Sequence, residues 1–393
     1  MTSIRPAPVA FGAALHREWG LDPDFLTVNH GSYGATPLVV RAEQDRWRQR
    51  MEAQPTRFFF LELPGALREA AAALATFVGA AADDIAFVPN ATTGANAVLR
   101  SMRFAAGDEV LHVSHVYNAV RNTITHVGEQ AGAKAVVAEI PFPRPEPAAI
   151  LKNIEQAITP RTRIAVIDHI TSPSGLVLPI AEIIRLCHAA GVPVLVDGAH
   201  GAGQVVLDLR ALGVDWYVGT CHKWLCAPKG CGFLYARADR RAGLHPVTIS
   251  HGYGGGFTTE FDWTGTIDPS AFLSLPAAIA FFERLGGPAL MARNRKLAAE
   301  AATLVAGALR TEVGALPGMA GSMGLVRLPI DLEANRAAAV KVRHTLQTAG
   351  TDAPVHPLAG TLWLRLSAYA YNEIGDYERL AELLPVVLKR LND

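Results

Sequence analysis

The amino-acid sequence predicts an α/β protein: a mostly parallel, seven-stranded sheet with helices on both faces, followed by a smaller α+β unit. Three observations carry this expectation. Short runs rich in Val, Ile and Leu recur at 85–88, 109–113, 134–138, 164–167, 192–196, 216–219 and 232–235, separated by longer helical patterns. Strands joined through helices imply crossover connections and a sheet buried on both faces. At 393 residues, with 50% of them hydrophobic, the chain exceeds the roughly 250–300 residues at which a single core stops growing. Beyond the run Gly252-Tyr253-Gly254-Gly255-Gly256 the strands become fewer and are spaced by whole helices.

The elements follow in order. The alanine-rich stretch 66–78 ends at Gly79 and predicts a helix with a glycine stop. Pro141 to Pro147 is a proline-rich connection inside the first unit. After the glycine run, a long helix is expected from about 275, then a strand at 324–328, a helix at 333–349, a strand at 361–366 and a terminal helix from 376. The expected division is a segment 1–25 that packs with the small domain, a large domain 26–270 and a small C-terminal domain 271–393.

Composition excludes several classes. Lys and Arg total 36, as do Asp and Glu, and the basic residues are dispersed, so the electrostatic footprint of a nucleic-acid binder is missing. No apolar run approaches the roughly 20 residues of a membrane span, and Met1-Thr2-Ser3-Ile4-Arg5-Pro6 does not open an apolar leader. A cytoplasmic protein without membrane or nucleic-acid partners is expected. Cys187, Cys221, Cys226 and Cys231 lack paired metal spacing and read as core thiols. His112 and His115 form an H-x-x-H with no acidic partner, so no metal is expected.

The chemistry centres on two strand ends. Val-Leu-Val-Asp197-Gly-Ala-His200 closes one apolar run, and Thr220-Cys221-His222-Lys223-Trp224 follows another. A carboxylate at the first can keep a pyridine nitrogen protonated, while an amine at the second can form a Schiff base. Together they describe a site for pyridoxal 5'-phosphate. Lys229, after a proline, is expected to be exposed.

These segments resemble the signature of the class V aminotransferase superfamily. Within it, Val28-Asn29-His30-Gly31-Ser32-Tyr33-Gly34, Asn90-Ala91-Thr92-Thr93-Gly94-Ala95-Asn96 and Phe261-Asp262-Trp263-Thr264-Gly265-Thr266-Ile267-Asp268 are most similar to isopenicillin N epimerase-like proteins. The resemblance runs from about residue 25 to the C-terminus and implies the fold-type-I architecture. It places Thr92 and Thr93 in the phosphate-binding turn, where a helix N-terminus after a strand supplies N–H donors. Thr220 and His222 would complete that cup, and Ser172 lies on a strand-end loop facing the same region. Tyr117, or alternatively His115, stands where the superfamily stacks a ring on the cofactor, and His200 resembles the residue that reaches its phenolic oxygen.

An amino-acid substrate also needs its carboxylate held. In Leu362-Trp363-Leu364-Arg365-Leu366-Ser367 the alternation puts Arg365 on the face opposite the leucines, and arginine binds carboxylates with two parallel hydrogen bonds. The superfamily's carboxylate-binding arginine precedes a Tyr-Asn pair, matched here by Tyr371-Asn372. The resemblance further implies that Asn29, His30 and Tyr33 line the entrance. It also implies a homodimer with shared sites, in which Thr266, or else Thr264, reaches the partner's cofactor.

The activity expected from the resemblance is epimerisation at Cα of an amino acid, with Lys223 and Tyr117 as the acid–base pair. A C–S or other β-elimination lyase is the alternative, and an aminotransferase or a non-catalytic binding protein are further ones. Cysteine desulfurases of the superfamily use a thiol before the arginine, and 349–360 contains no cysteine.

Overall fold

The computed structural model describes residues 10–392. The strands in chain order are β1 Leu26–Thr27, β2 Ile85–Val88, β3 Glu109–Val113, β4 Lys134–Ala138, β5 Thr162–Asp168, β6 Val194–Gly198, β7 Trp216–Thr220, β8 Gly232–Ala236, β9 Met323–Arg327, β10 Thr351–Asp352, β11 Val355–Leu358 and β12 Thr361–Ser367. Strands β2 to β8 form one sheet in the order β2-β8-β7-β6-β5-β3-β4. Neighbours from β4 through β7 pair in parallel, while β8 runs antiparallel to both β7 and β2. This is the mostly parallel seven-stranded sheet that the apolar runs imply. Every residue of β2, β3, β6, β7 and β8 is buried, whereas β4, at the edge, exposes Lys134, Ala135 and Val137.

Close packing sets where the helices begin. The helix Ala91–Ser101 lies directly on β7, because a Cβ on Gly94 would come within 2.7 Å of the Val218 side chain. Its N-terminus is thereby held at the carboxyl edge of the sheet. In open α/β sheets that edge is where ligands bind.

A second core is built from the antiparallel sheet β11-β12-β9 and the helices Pro288–Leu309, Arg336–Thr348 and Ile374–Asn392. The pair β1-β10 joins the N-terminal region to it. The expected single helix from 275 is two, Leu275–Arg284 and Pro288–Leu309, broken where Gly286 and Gly287 take φ of 107° and 52° ahead of Pro288. The first of these packs on the large core, and the second passes from that core at Leu290 and Met291 to the small one at Leu297. The small core thus begins further along the chain than residue 270. Within 10–25, Leu15 and Trp19 join the large core, with the Trp19 ring edge-on to Phe281 and Tyr371. The first nine residues of the expected N-terminal segment lie outside the described ones. The helix expected at 66–78 starts at Leu63, after one π-helical turn, and stops at Gly79 in the left-handed conformation.

Candidate active site

Five strand ends converge on one cavity of about 440 Å³. β2 leads into the turn Asn90–Thr93, β3 into the loop carrying Tyr117, and β5 into Ile170 and Ser172. β6 ends with Asp197 and passes to Ala199 and His200, and β7 ends at Thr220 ahead of His222 and Lys223. Thr92, Thr93, Tyr117, Ser172, Asp197, His200, Thr220, His222 and Lys223 all line this cavity. Residues spread over more than 130 positions meet because parallel strands all point their carboxyl ends the same way.

The turn after β2 presents the N-terminus of the helix Ala91–Ser101 to the cavity. Asn90 caps the helix, its side chain accepting from the Thr93 amide at 2.9 Å. The amides of the first turn have no acceptor four residues back and carry the positive end of the helix dipole. Thr92 and Thr220 line the same cavity.

On the neighbouring wall Asp197 is 3% exposed and accepts from the Ala199 amide at 3.0 Å. Burial pushes its carboxyl up, and the Lys223 charge pulls against that. Lys223 Nζ lies 3.3 Å from His200 Nε2, and His200 Nδ1 accepts from the Trp224 indole at 3.2 Å. Burial, aided by repulsion from Arg365, pushes the Lys223 amine down to about 8. Such a lysine is a nucleophile and base near neutral pH. His222 is held through Nδ1 at 3.1 Å from the Cys231 carbonyl, and burial lowers it to about 4. Lys229 is exposed, its amine on the Thr36 hydroxyl.

Arg365 stands just behind the cavity and is 3% exposed. Its Nη1 donates to the carbonyl and hydroxyl of Ser172, and its Nη2 to the Ser32 hydroxyl at 3.2 Å. Among the described residues it makes no ion pair, and its Nε has no partner. Asp352, whose charge acts on Arg365 from a distance, is tied to Arg343 by two hydrogen bonds of 2.7 Å. Burial lowers the guanidinium to about 10.

Two expected entrance residues face elsewhere. His30–Tyr33 forms a single helical turn, which aims His30 inward and Ser32 and Tyr33 at the cavity. The His30 ring stacks on Tyr369 at 3.8 Å and bonds the Tyr371 hydroxyl and the Lys223 carbonyl, so it braces the lysine loop from behind. Asn29 donates to Asp352 at 2.6 Å. Gly34 then crosses so close to the lysine loop that a Cβ would lie 2.7 Å from the Lys223 carbonyl oxygen. Of the two ring-stacking candidates, Tyr117 reaches the cavity while His115 is buried against Ser174 at 2.7 Å. Thr266 is exposed and outside this cavity, and Thr264 borders a second, more apolar one of about 260 Å³.

Asp168, at the end of β5, is a residue that sequence reasoning missed. It is paired in register with Asp197, 2% exposed, and lines the cavity with Oδ2 unpartnered. Burial and the Asp197 charge push its carboxyl well up. The run Ile-Ala-Val-Ile-Asp168 carries the same signal as the run ending at Asp197.

The family model for aminotransferase class-V matches residues 57–315, which contain every strand end of the cavity. The chain belongs to the class V aminotransferase family. It is 32% identical over 395 residues to a probable chloroplastic L-cysteine desulfhydrase of Arabidopsis thaliana, covering 92% of this chain and 83% of that one. It is 33% identical over 390 residues to the isopenicillin N epimerase of Amycolatopsis lactamdurans, covering 94% and 96%. Among solved structures, the cystine C-S lyase C-DES, in complex with its reaction product cysteine persulfide, shares the fold with a TM-score of 0.79. Identity there is 22%, with 92% of this chain and 97% of that one covered.

This family member is therefore a pyridoxal phosphate-dependent enzyme, and the donor set fits the cofactor. Helix amides and threonine hydroxyls suit the phosphate, the buried carboxylates suit a cationic ring nitrogen, and the Lys223 amine suits the aldehyde. Among the described residues no cluster of His, Cys, Asp and Glu could hold a metal ion, and no helix is long and apolar enough to cross a membrane.

Proposed function

We propose that the enzyme removes the Cα proton of an amino acid whose carboxylate is held by Arg365, and that epimerisation is the outcome this cavity supports best. The observation that carries the substrate class is the buried Arg365 with no anionic partner among the described residues, standing behind Ser32 and Ser172 of the cavity that Lys223 also lines. An uncompensated buried cation is costly, and a carboxylate arriving there gains a charge-assisted, two-pronged contact.

Pyridoxal phosphate, when bound, supplies an electron-accepting ring that acidifies the Cα proton. Lys223 takes and returns that proton, its amine being poised near neutral pH. Asp197 holds the proton at the ring nitrogen, and Thr92, Thr93, Thr220 and His222 hold the phosphate. His200 and Ser172 orient the reacting end. Tyr117 enters from the loop after β3, a different wall from the lysine loop, and delivers a proton from its own side. Two acid–base groups from separate walls are what inversion at Cα needs.

β-Elimination is the second reading, supported by the desulfhydrase relative at an identity equal to within a percentage point. Both outcomes share every step up to removal of the proton. The assembly in this reading is a homodimer in which the exposed Thr266 reaches the neighbouring subunit's phosphate site.

Incubation with L-amino acids in deuterium oxide tests the proposal. Deuterium at Cα with inversion is the expected result. Release of pyruvate and the side-chain leaving group selects elimination, and no exchange at Cα refutes the shared step.

A further inference from the structure

The neighbour of the reactive lysine has a role of its own. The Trp224 indole carries one N–H and can only donate, and it lies 3.2 Å from His200 Nδ1. Trp224 is 0% and His200 2% exposed, so no solvent competes for either group. Nδ1 must therefore present its lone pair, since a proton there would set two donors head to head. The single proton of a neutral imidazole is left on Nε2, the atom 3.3 Å from Lys223 Nζ. An N–H aimed at Nζ is met favourably only by an amine lone pair, because an ammonium has none.

We infer that Trp224 acts as a positioning residue, fixing His200 as the Nε2–H tautomer so that His200 donates to the free amine of Lys223 and favours that form over the ammonium. The inference rests on the reading of Lys223 as the cofactor-binding lysine, and it explains how the chain prepares this amine before any cofactor arrives. The other groups facing Lys223 divide in sign. Asp197, from β6, favours the ammonium, while Arg365, from β12, disfavours it. His222, the residue before it, is kept neutral by burial, as is His200. Asp168, Tyr33 and Tyr117 share the cavity wall. Burial and repulsion from Arg365 already lower Lys223 to about 8, and a donor at His200 Nε2 acts in the same direction.

Nitrogen NMR of the cofactor-free full chain with labelled histidine, assigned by the signals lost in His200→Phe, reads the tautomer directly. The expected pattern is a neutral ring with the proton on Nε2 across pH 6–8. A ring protonated on Nδ1, or doubly protonated, overturns the inference whatever any variant does. The second readout is acylation of Lys223 against pH, normalised to the exposed Lys296 and quantified by mass spectrometry. Trp224→Phe frees the imidazole to turn its lone pair to Nζ. It should raise the midpoint by about one unit or more, which cuts labelling at pH 7 about tenfold. His200→Phe removes the donor with Trp224 intact and should show a similar fall. Unchanged labelling in either variant, or an unchanged tautomer in Trp224→Phe, overturns the assigned role. Because no cofactor is present, failure here is distinguishable from failure of Lys223 to bind pyridoxal phosphate.

Discussion

Replacing Arg365 with leucine removes the one charge that the substrate reading depends on. In the structure this guanidinium is 3% exposed and satisfied only by neutral groups, the Ser172 carbonyl and the Ser172 and Ser32 hydroxyls. A carboxylate about 4 Å away at an effective dielectric constant of about 20 gains roughly 4 kcal/mol, part of which is returned as desolvation. Truncating one partner of such a buried pair costs about 2–5 kcal/mol, or roughly 30- to 5,000-fold in affinity. Folding should not suffer to match, because a buried cation without a counter-ion contributes little or negatively to stability. The assay is the change in visible absorption when L-amino acids are titrated into the cofactor-loaded variant, repeated with the corresponding amino-acid amides. Acids should bind at least about 30-fold more weakly than to the unmutated enzyme. Amides lose only about one neutral hydrogen bond, near 1 kcal/mol or roughly 5-fold. Equal weakening of acid and amide would assign Arg365 to structure and refute the reasoning.

Other perturbations separate the remaining roles. Asp197→Asn should still bind pyridoxal phosphate through the threonines and helix amides but lose about 3–4 kcal/mol of barrier lowering, a fall of roughly 100- to 1,000-fold in kcat. Near-normal rates would remove its charge from the mechanism. Asp168 is held above its ordinary value by burial and by Asp197. The folded state therefore binds its proton more tightly than the unfolded chain. Its contribution to stability is present below the unfolded value of about 3.9 and is lost as pH rises through the folded one. Asp168→Asn should flatten the decline in unfolding midpoint of the cofactor-free protein between acid and neutral pH, and an unchanged slope would mean that Asp168 ionises freely. Mixing Lys223→Ala with Thr266→Ala subunits should restore one unimpaired site per heterodimer, whereas a monomer with full cofactor affinity in sedimentation would reject the shared site.

Much of this site was legible because strand ends announce themselves. A Val-rich run stopped by a functional residue marks Asp197 and, with Thr220 to Lys223, the lysine loop. Asp168 carries the same mark, but a strand-end carboxylate alone does not say whether it faces a ligand. Proximity was legible at Asn29 and His30, but facing was not. A four-residue helical turn rotates neighbouring side chains to opposite sides, and no periodicity can be read from so short an element. The helix Leu38–Ala53 has only Val40 buried, so it lacks the apolar stripe by which a helix shows itself. Strand β11 is four residues long, contains Pro357 and forms the edge of its sheet, and such a segment reads as a loop.

Every proposed role in the cavity follows from Lys223 being the residue that holds pyridoxal phosphate. Borohydride reduction of the cofactor-loaded protein, followed by peptide mapping, tests this directly. The reduced cofactor should be found on the peptide containing Lys223 alone, and Lys223→Ala should bind no cofactor covalently and show no turnover. A label on Lys229 or any other lysine, or a Lys223→Ala variant that stays yellow and active, would contradict the account.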